Sequence, residues 1–74
     1  MGPMEPKRQF AVNVRQRREA AGLSQEALGE RCGLHRTEIS LLERAQRDPR
    51  LSTIVRVAEA LEVAPARLLE GVEG

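Results

Sequence analysis

A polar stripe between residues 36 and 44 carries the side chains best suited to chemistry in this 74-residue chain. At about 100° per residue, four polar residues fall within one helical arc of about 100°: Arg36, Thr37, Ser40 and Arg44. An arginine donates two hydrogen bonds to guanine O6 and N7, hydroxyls donate or accept, and a threonine methyl contacts the methyl group of thymine. The stripe therefore has the chemistry to contact base edges and phosphates, although an ordinary solvated helix face has the same composition.

The distribution of charge is a second, weaker indication of a polyanionic partner. The net charge is only +1, but residues 1–50 carry ten Lys and Arg against seven Asp and Glu, whereas residues 51–74 carry two against four. Local clusters of cationic side chains bind phosphate, whatever the net charge. Two clusters occur, one near the start of the chain and one at the end of the polar stripe: Lys7, Arg8, Arg15, Arg17 and Arg18, then Arg44, Arg47 and Arg50. Charge alone leaves an ordinary solvated surface equally open.

Catalysis and metal binding find little support in the composition. The single His35 and the single Cys32 do not make a nucleophile–base pair with an orienting third group, and they are too few to ligate zinc. The helical phase of Cys32, one turn beyond Leu28, indicates a small buried hydrophobe. Acidic residues such as Glu26 and Glu30 are typical of solvated helix charge. We predict no catalytic residue, no metal, no cofactor and no small-molecule ligand.

Nothing in the chain indicates export or membrane insertion. No apolar run approaches the roughly 20 residues of a membrane span, and no segment reads as a signal peptide. A single cysteine cannot form an internal disulfide, which suits a reducing compartment. We expect a cytoplasmic protein with no membrane partner.

Five helices and no strand are predicted to position these side chains. Apolar residues recur at helical spacing, and glycines, prolines and polar loops separate the segments. The predicted helices run from about Arg8 to Ala21, Ser24 to Cys32, His35 to Arg44 and Leu51 to Glu62, with a short fifth helix that begins at Pro65. The first helix is predicted to turn Phe10, Val14 and Ala21 inward. The all-α domain is predicted to span residues 8–70, between tails at residues 1–7 and 71–74.

The second and third predicted helices meet at a tight glycine turn. Their apolar residues form one inner face: Leu28, Cys32, Leu34, Ile39 and Leu42. Gly33 falls just past the first of these helices, where a residue without Cβ is favoured. Gly29 lies inside that helix at a cost of about 1 kcal/mol relative to alanine, which predicts a second helix crossing at close range. Two helices joined in this way are typical of a helix-turn-helix unit, whose second helix enters the DNA major groove.

A set of spaced motifs covers most of the chain, from Phe10 to Leu69. It consists of Arg18, Gly22-Leu23-Ser24-Gln25-Glu26-x-Leu28, Gly33, Ile39-Ser40, Leu42-Glu43-Arg44, Pro49 and Ala58-x-Ala60-Leu61-x-Val63. In this order and spacing the motifs resemble the lambda-repressor-like (Cro/repressor, XRE) DNA-binding domains, and the short length is similar to that of restriction–modification controller proteins. The resemblance implies a five-helix domain with a helix-turn-helix, acting as a homodimer on a two-fold symmetric operator in double-stranded DNA.

The resemblance also implies roles for individual residues. Together with the glycine turn, it favours base reading by Arg36, Thr37 and Ser40. Phosphate contacts, which fix the register on DNA, are predicted for Arg17, Ser24, Gln25, Arg44, Gln46, Arg47 and Arg50. Ser24 equally suits a plain N-cap, and Gln25 is also expected to brace the first residues of the third helix. Arg18 and Glu43 are expected to form a partly buried ion pair between the first and third helices, with Arg18 on a phosphate as the alternative.

Three positions depart from the family pattern. Ala45 stands where a glycine usually ends the third helix, so the turn is strained or the helix extends. His35 stands where Ser or Thr often caps that helix, and a capping or surface role is favoured over a DNA contact. Arg50 stands where a small capping residue often precedes the fourth helix, which leaves the start of that helix open.

These features predict a sequence-specific transcriptional regulator of a bacterium or phage, acting at the nucleoid. One small domain reads few base pairs, so specificity calls for two copies. We expect their contact in the acidic half of the chain, at Val63, Ala66, Leu69 and Val72; the alternative is that Val63 and Leu69 only close the core. Two other functions are open to the chain: an antitoxin of this fold and a protein–protein adaptor. An adaptor is expected to carry acidic or apolar residues where this chain has the polar stripe.

Overall fold

The fold consists of five short α-helices packed around an aliphatic core. The computed structural model describes residues 4–73, and no strand occurs among them. The helices are α1 (Pro6–Ala20), α2 (Gln25–Cys32), α3 (Arg36–Glu43), α4 (Leu51–Ala60) and α5 (Pro65–Leu68). The predicted all-α fold class is confirmed. None of the helices described here has both the length and the apolar character needed to cross a membrane.

The first helix begins two residues earlier than the sequence pattern predicts. Pro6 occupies its first turn, where the fixed φ of proline suits a helix and the missing N–H breaks no hydrogen bond. Lys7 therefore belongs to α1, and the predicted tail of residues 1–7 is too long. Residues 1–3 of that tail and residue 74 of the predicted C-terminal tail lie outside the described residues.

The end of α1 also departs from the prediction. Ala21 is exposed, so its predicted inward position is wrong. The reason is that α1 ends at Ala20, which leaves Ala21 in the turn and beyond the helical face that covers the core. That face is formed by Phe10, Ala11 and Val14, all of them buried.

The turn between α2 and α3 is too tight to accept a side chain at Gly29. Gly33 ends α2 in the left-handed conformation with φ +72°, as predicted. A Cβ on Gly29 would lie 2.5 Å from the carbonyl oxygen of Leu34 and 3.3 Å from the backbone nitrogen of Arg36. The neighbour that excludes a side chain is therefore the backbone of the turn itself. The close approach predicted at Gly29 is found, but it is made by the turn and by the first residue of α3, because the chain reverses within a few residues and does not cross α2 there as a helix.

The ends of α3 and α4 are each followed by a left-handed residue that is not glycine. Ala45 has φ +56° and Glu62 has φ +57°. Of the two expectations for Ala45, the strained turn is the one found. After α4, the N–H of Val63 donates to the carbonyl oxygen of Ala58 at 3.0 Å, and this bond closes the turn that contains Glu62. The helix therefore ends at Ala60, two residues before its predicted end at Glu62. The left-handed conformation costs an L-residue about 1–2 kcal/mol, and both turns therefore carry strain that a glycine would relieve.

The core is aliphatic apart from Phe10. It draws buried residues from every helix: Phe10, Val14, Leu28, Cys32, Ile39, Leu42, Ile54, Val57, Ala58, Leu61 and Leu68. The predicted inner face of α2 and α3 is confirmed for its four buried members, and Leu34 is half-buried against the same core. Leu69 is 40% exposed and lies outside this core.

One buried polar side chain fastens the C-terminal segment to α1. Asn13 is 8% exposed, and its Nδ2 donates to the carbonyl oxygens of Leu68 at 2.9 Å and Glu70 at 2.8 Å. Its Oδ1 accepts from Gln9 Nε2 at 3.0 Å. The one-turn helix α5 is too short to satisfy its own C-terminal carbonyls, and buried polar groups require partners. Asn13 therefore fixes the path of the chain after α5, a role that the hydrophobic pattern does not reveal.

Replacing Glu62 by glycine should stabilise the protein, because glycine adopts a left-handed φ without the steric penalty of a Cβ. We expect Glu62→Gly to raise the free energy of unfolding by about 1 kcal/mol, measured by urea unfolding monitored with circular dichroism. Glu62→Ala is the matched control: it removes the charge but keeps the Cβ, and should stay within about 0.5 kcal/mol of the wild type. Equal stability of the two variants would contradict a strained turn at this position.

Candidate nucleic-acid interface

The outward face of α3 gathers the three residues predicted to read bases. Arg36 and Thr37 are exposed in the first turn, and Ser40 is half-buried one turn later. Ile39 and Leu42 are buried in the core at 0% and 3% exposure, and their burial fixes the rotation of the helix about its axis. A helix anchored in this way presents its N-terminal polar residues in the manner of a recognition helix that enters the major groove.

His35 caps α3 at its N-terminus. Its Nδ1 accepts a hydrogen bond from the backbone N–H of Thr37 at 3.1 Å and lies 2.9 Å from the Thr37 hydroxyl oxygen. The imidazole thus takes the place of the Ser or Thr hydroxyl that commonly caps a helix. Because it engages both the N–H and the hydroxyl of Thr37, His35 orders the turn that carries Arg36 and Thr37.

A buried ion pair joins α1 to the end of α3. Arg18 donates from Nε to Glu43 Oε2 at 2.6 Å and from Nη2 to Glu43 Oε1 at 2.9 Å, the bidentate geometry that is both strong and directional. Its Nη1 donates to the carbonyl oxygen of Leu23 at 2.8 Å. The two side chains are only 11% and 3% exposed. The hydrogen bonds to Glu43 raise the pKa of Arg18, although burial acts in the opposite direction. The guanidinium is committed to the fold and is not free for a DNA phosphate.

The start of α2 is tied to the same ion pair. Ser24 Oγ accepts from the N–H of Ala27 at 3.0 Å, the usual N-cap arrangement. Gln25 Nε2 donates to Glu43 Oε1 at 3.2 Å, so Gln25 braces the end of α3 and not its first residues. The charged carboxylate is a stronger acceptor than a neutral group, which accounts for this choice of partner. Both side chains lie where helix N–H groups favour an anion, but each already has an intramolecular partner.

The segment between α3 and α4 carries exposed cationic side chains. Arg44, Gln46, Arg47 and Arg50 are all exposed there. Arg47 Nη2 lies 3.6 Å from Glu38 Oε1, and Gln46 Nε2 donates to the carbonyl oxygen of Arg44 at 3.5 Å. An exposed ion pair contributes at most about 1 kcal/mol, so such contacts exchange readily for a phosphate. Arg50 precedes α4 without a side-chain capping bond, as its departure from the family pattern suggests.

Arg17 is not gathered with this group. Its Nη2 lies 3.3 Å from Glu70 Oε1, and Arg67 Nη1 lies 3.5 Å from the same oxygen. The three side chains form a partly exposed charged cluster between α1 and the C-terminal segment. A phosphate contact by Arg17 therefore requires that the phosphate replace Glu70 as its partner.

Arg56 supports the turn before α3, and the sequence reasoning missed it. Its Nη2 donates to the carbonyl oxygen of Gly33 at 3.2 Å, and a Cβ on Gly33 would come within 2.6 Å of the same nitrogen. Glycine at position 33 therefore serves both the left-handed φ and the close approach of Arg56. One feature of the sequence could have drawn attention to this residue: Arg56 is the only basic residue in α4, whose sequence is LSTIVRVAEA.

The single thiol lies in an unreactive environment. Cys32 is buried, its Sγ lies 3.8 Å from the carbonyl oxygen of Gly29, and burial raises the pKa of the thiol. Since the thiolate is both the nucleophile and the metal ligand, this environment suppresses both roles. Within residues 4–73, no three side chains of the His, Cys, Asp and Glu types are grouped to hold a metal ion.

The residues predicted for contact between two copies occupy different environments. Val63 is half-buried and packs against the core. Ala66 and Leu69 are exposed, and Val72 is half-buried. Leu69 and Val72 line one apolar groove, which Val63 and Ala66 do not line. The fold thus brings two of the four residues together.

Comparison with known proteins gives consistent results. Residues 14–68 match the Helix-turn-helix family. The chain is 46% identical over 66 residues to the control protein C.SmaI of Serratia marcescens, covering 89% of this chain and 79% of that protein. The crystal structure of the restriction-modification controller protein C.AhdI from Aeromonas hydrophila superposes with a TM-score of 0.82 at 39% identity, covering 84% of this chain and 94% of that one. The P22 c2 repressor in complex with a synthetic operator superposes with a TM-score of 0.77 at 31% identity, covering 84% and 94% of the two chains.

Removing the Glu43 carboxylate should destabilise the fold, because it leaves the Arg18 guanidinium buried without its counter-charge. We expect Glu43→Ala to lower the free energy of unfolding by about 3–5 kcal/mol, measured by thermal and urea unfolding. A double-mutant cycle with Arg18→Ala should give a coupling energy above about 1 kcal/mol. The exposed pair Arg15–Glu19, at 3.4 Å, is the matched control and should couple by about 0.5 kcal/mol or less. Equal coupling in the two cycles would rule out a special role for the buried pair.

Proposed function

Because the chain belongs to the helix-turn-helix family of DNA-binding transcriptional regulators, we propose that it acts as a homodimer on a pseudo-palindromic operator. Its ligand is double-stranded DNA, read by one α3 from each copy. The proposed site of action is DNA at the nucleoid of a bacterial cell. The relatives at more than 40% identity named as control proteins support this assignment.

The observation that carries the proposal is the polar outward face of an α3 whose inner face is buried. Arg36 is assigned the bidentate contact to guanine, and Thr37 and Ser40 the hydroxyl contacts to neighbouring bases. Arg36 and Thr37 lie in the first turn of α3, where recognition helices contact base edges. A protein–protein adaptor would favour acidic or apolar side chains on this face, whereas an arginine and two hydroxyls suit DNA.

Phosphate contacts are assigned to two flanking segments. At the N-terminus of α2, Ser24 and Gln25 offer backbone N–H groups and the positive end of the helix dipole. The second segment is the loop after α3, whose exposed side chains are assigned to the DNA backbone on the other side of α3: Arg44, Gln46, Arg47 and Arg50. Arg17 joins them only if a phosphate replaces Glu70 as its partner. Contacts of this kind fix the register of α3 on DNA without reading sequence.

Two copies are needed for a useful specificity ratio. A single helix of eight residues, Arg36–Glu43, reaches only a few base pairs, and a genome offers millions of competing sites. A two-fold dimer sets its recognition helices about one DNA turn apart, roughly 34 Å, and therefore selects a pseudo-palindromic site. We assign the contact between copies to the surface that carries Ala66, Leu69 and Val72, with Val63 supporting it from the core side.

Arg36 and Arg47 should differ in what they contribute to DNA binding. Arg36→Ala should lose about 1–3 kcal/mol of discrimination at one base pair per half-site. Arg47→Ala should weaken binding to all sequences and lower the slope of log K against log salt by about 1. Selection of bound DNA from a random pool, with sequencing of the bound fraction for each variant, measures the first effect, and salt titration measures the second. An unchanged selected motif for Arg36→Ala would show that the register assigned to α3 is incorrect.

Leu69→Glu should weaken self-association, because a charge replaces an apolar side chain that the dimer would bury. Loss of about 1.5 kcal/mol of apolar burial corresponds to an increase of roughly tenfold in the dimer dissociation constant. Sedimentation at micromolar concentration measures it, with Ala21→Glu, at an exposed position in the turn after α1, as the control. A wild type that is monomeric both free and on DNA would overturn the homodimer. A dimer indifferent to Leu69→Glu, with the fold intact, would move the contact to another surface.

A further inference from the structure

The hydroxyl of Thr37 lies against a ring nitrogen of His35. Its Oγ1 is 2.9 Å from Nδ1 of the imidazole, and the same nitrogen accepts a hydrogen bond from the backbone N–H of Thr37 at 3.1 Å. His35 immediately precedes α3, and Thr37 is the second residue of that helix. One ring nitrogen thus contacts both hydrogen-bond donors of a residue that is assigned to a base edge.

The backbone hydrogen bond decides which nitrogen of the imidazole carries a proton. A backbone N–H always has its hydrogen and can only donate, so Nδ1 must present a lone pair to it. In a neutral imidazole one nitrogen is protonated and the other accepts. The proton of the neutral His35 ring is therefore on Nε2, and Nδ1 has none.

The tautomer of His35 in turn decides the direction of the Thr37 hydroxyl. Nδ1 and Oγ1 are within hydrogen-bond distance of each other, and only the hydroxyl has a hydrogen to place between them. Any other orientation of the hydroxyl would set two lone pairs against each other at 2.9 Å, which is repulsive. The hydroxyl therefore donates to Nδ1, alongside the backbone N–H. Its oxygen can then only accept hydrogen bonds from other partners.

Thr37 points more directly away from the core than the other polar residues of α3. At about 100° per residue it lies about 200° and about 140° round the helix from Ile39 and Leu42, which are both buried. The side chain of Thr37 is itself exposed. An acceptor at this position complements the preceding Arg36, whose guanidinium has only donors.

We propose that His35 fixes the base preference of Thr37, because it converts a hydroxyl that can donate or accept into an acceptor alone. In the major groove adenine N6 and cytosine N4 are donors, whereas guanine O6 and thymine O4 are acceptors. Thr37 therefore selects a base that places an amino group opposite its oxygen and rejects one that places a keto oxygen there. The inference rests on the proposed contact of α3 with DNA and specifies the chemistry of one base that α3 reads.

Removal of the hydroxyl and of the amino group, singly and together, tests the direction of this hydrogen bond. Selection from a random DNA pool by the wild type and by Thr37→Val, which has a similar shape without the hydroxyl, identifies the base pair that Thr37 reads. The amino group of that pair is then removed from the selected DNA, with purine in place of adenine or 2-pyrimidinone in place of cytosine. We expect the wild type to bind the altered DNA about fivefold more weakly, and Thr37→Val to bind both DNAs equally.

Two outcomes of this experiment are separable. An equal effect of the missing amino group on the two proteins would overturn the proposed direction and leave the base contact intact. A selected motif that Thr37→Val leaves unchanged would overturn the base contact itself, and the proposal with it.

The matched variants His35→Asp and His35→Ser test the role of the imidazole. Both side chains cap a helix with an oxygen, but a carboxylate can only accept from Thr37, whereas a serine hydroxyl can also donate to it. A transition at the base pair read by Thr37, adenine to guanine or cytosine to thymine, puts a keto oxygen where the amino group was. We expect this change to weaken binding about tenfold for the wild type and His35→Asp, and about twofold or less for His35→Ser. Equal ratios of Kd for the two variants would overturn the role of His35.

The state of the ring can also be observed directly, because His35 is the only histidine in the chain. Long-range 1H–15N spectra of the free protein, recorded at about pH 8.5 and so above the range in which histidine side chains titrate, should show a bare Nδ1 and a protonated Nε2. A proton on Nδ1 would overturn the proposal independently of any measurement on DNA.

Discussion

The buried ion pair between Arg18 and Glu43 is the interaction on which the position of α3, and with it the proposed DNA-reading face, depends. It joins α1 to the end of α3, and its remaining bonds reach the turn before α2 through Leu23 and the first residue of α2 through Gln25. An eight-residue helix such as α3 is not stable by itself in water. Its position must come from tertiary contacts, which are the ion pair at one end and the buried Ile39 and Leu42, while the local His35 cap orders its other end. A buried ion pair adds little net stability, but its bidentate geometry gives direction.

The molecule combines short helices with turns that are close to the limit of what non-glycine residues tolerate. Left-handed backbone at Ala45 and Glu62 ends α3 and α4 abruptly, which keeps a domain of this size within a small volume. Gly33 meets the same need without strain and also admits the guanidinium of Arg56. These turns change the direction of the chain sharply, and they do so at some cost to stability. Small domains have little core to spare, so such turns take a noticeable share of the total stability.

Charged side chains are distributed unevenly over the molecule. The segment after α3 carries the exposed side chains of Arg44, Arg47 and Arg50, whereas Arg17 and Arg67 are paired with Glu70 near the C-terminal segment. Ser24, Gln25 and Arg18 already have intramolecular partners, so the phosphate contacts proposed for the start of α2 would depend largely on backbone groups and the helix dipole. Residues 51–74 are less basic than the rest of the chain. Their apolar surface, which Asn13 holds in place, is suited to contact with protein.

The sequence by itself determined what depends on local order. Helical periodicity placed Leu28, Cys32, Ile39 and Leu42 in the core, turn chemistry placed Gly33, and the spacing of Arg36, Thr37 and Ser40 on α3 defined the outward face, because a helix converts spacing directly into direction. The spaced motifs further indicated the family and the Arg18–Glu43 contact. Apart from that pair, only the tertiary structure decided the contacts between residues far apart in the chain. Asn13 meets carbonyls 55 and 57 residues away, Arg17 meets Glu70 at 53, and Arg56 meets Gly33 at 23. A polar residue on a helix has the same local pattern whether it is solvated or buried, and its partner is set by how the helices pack.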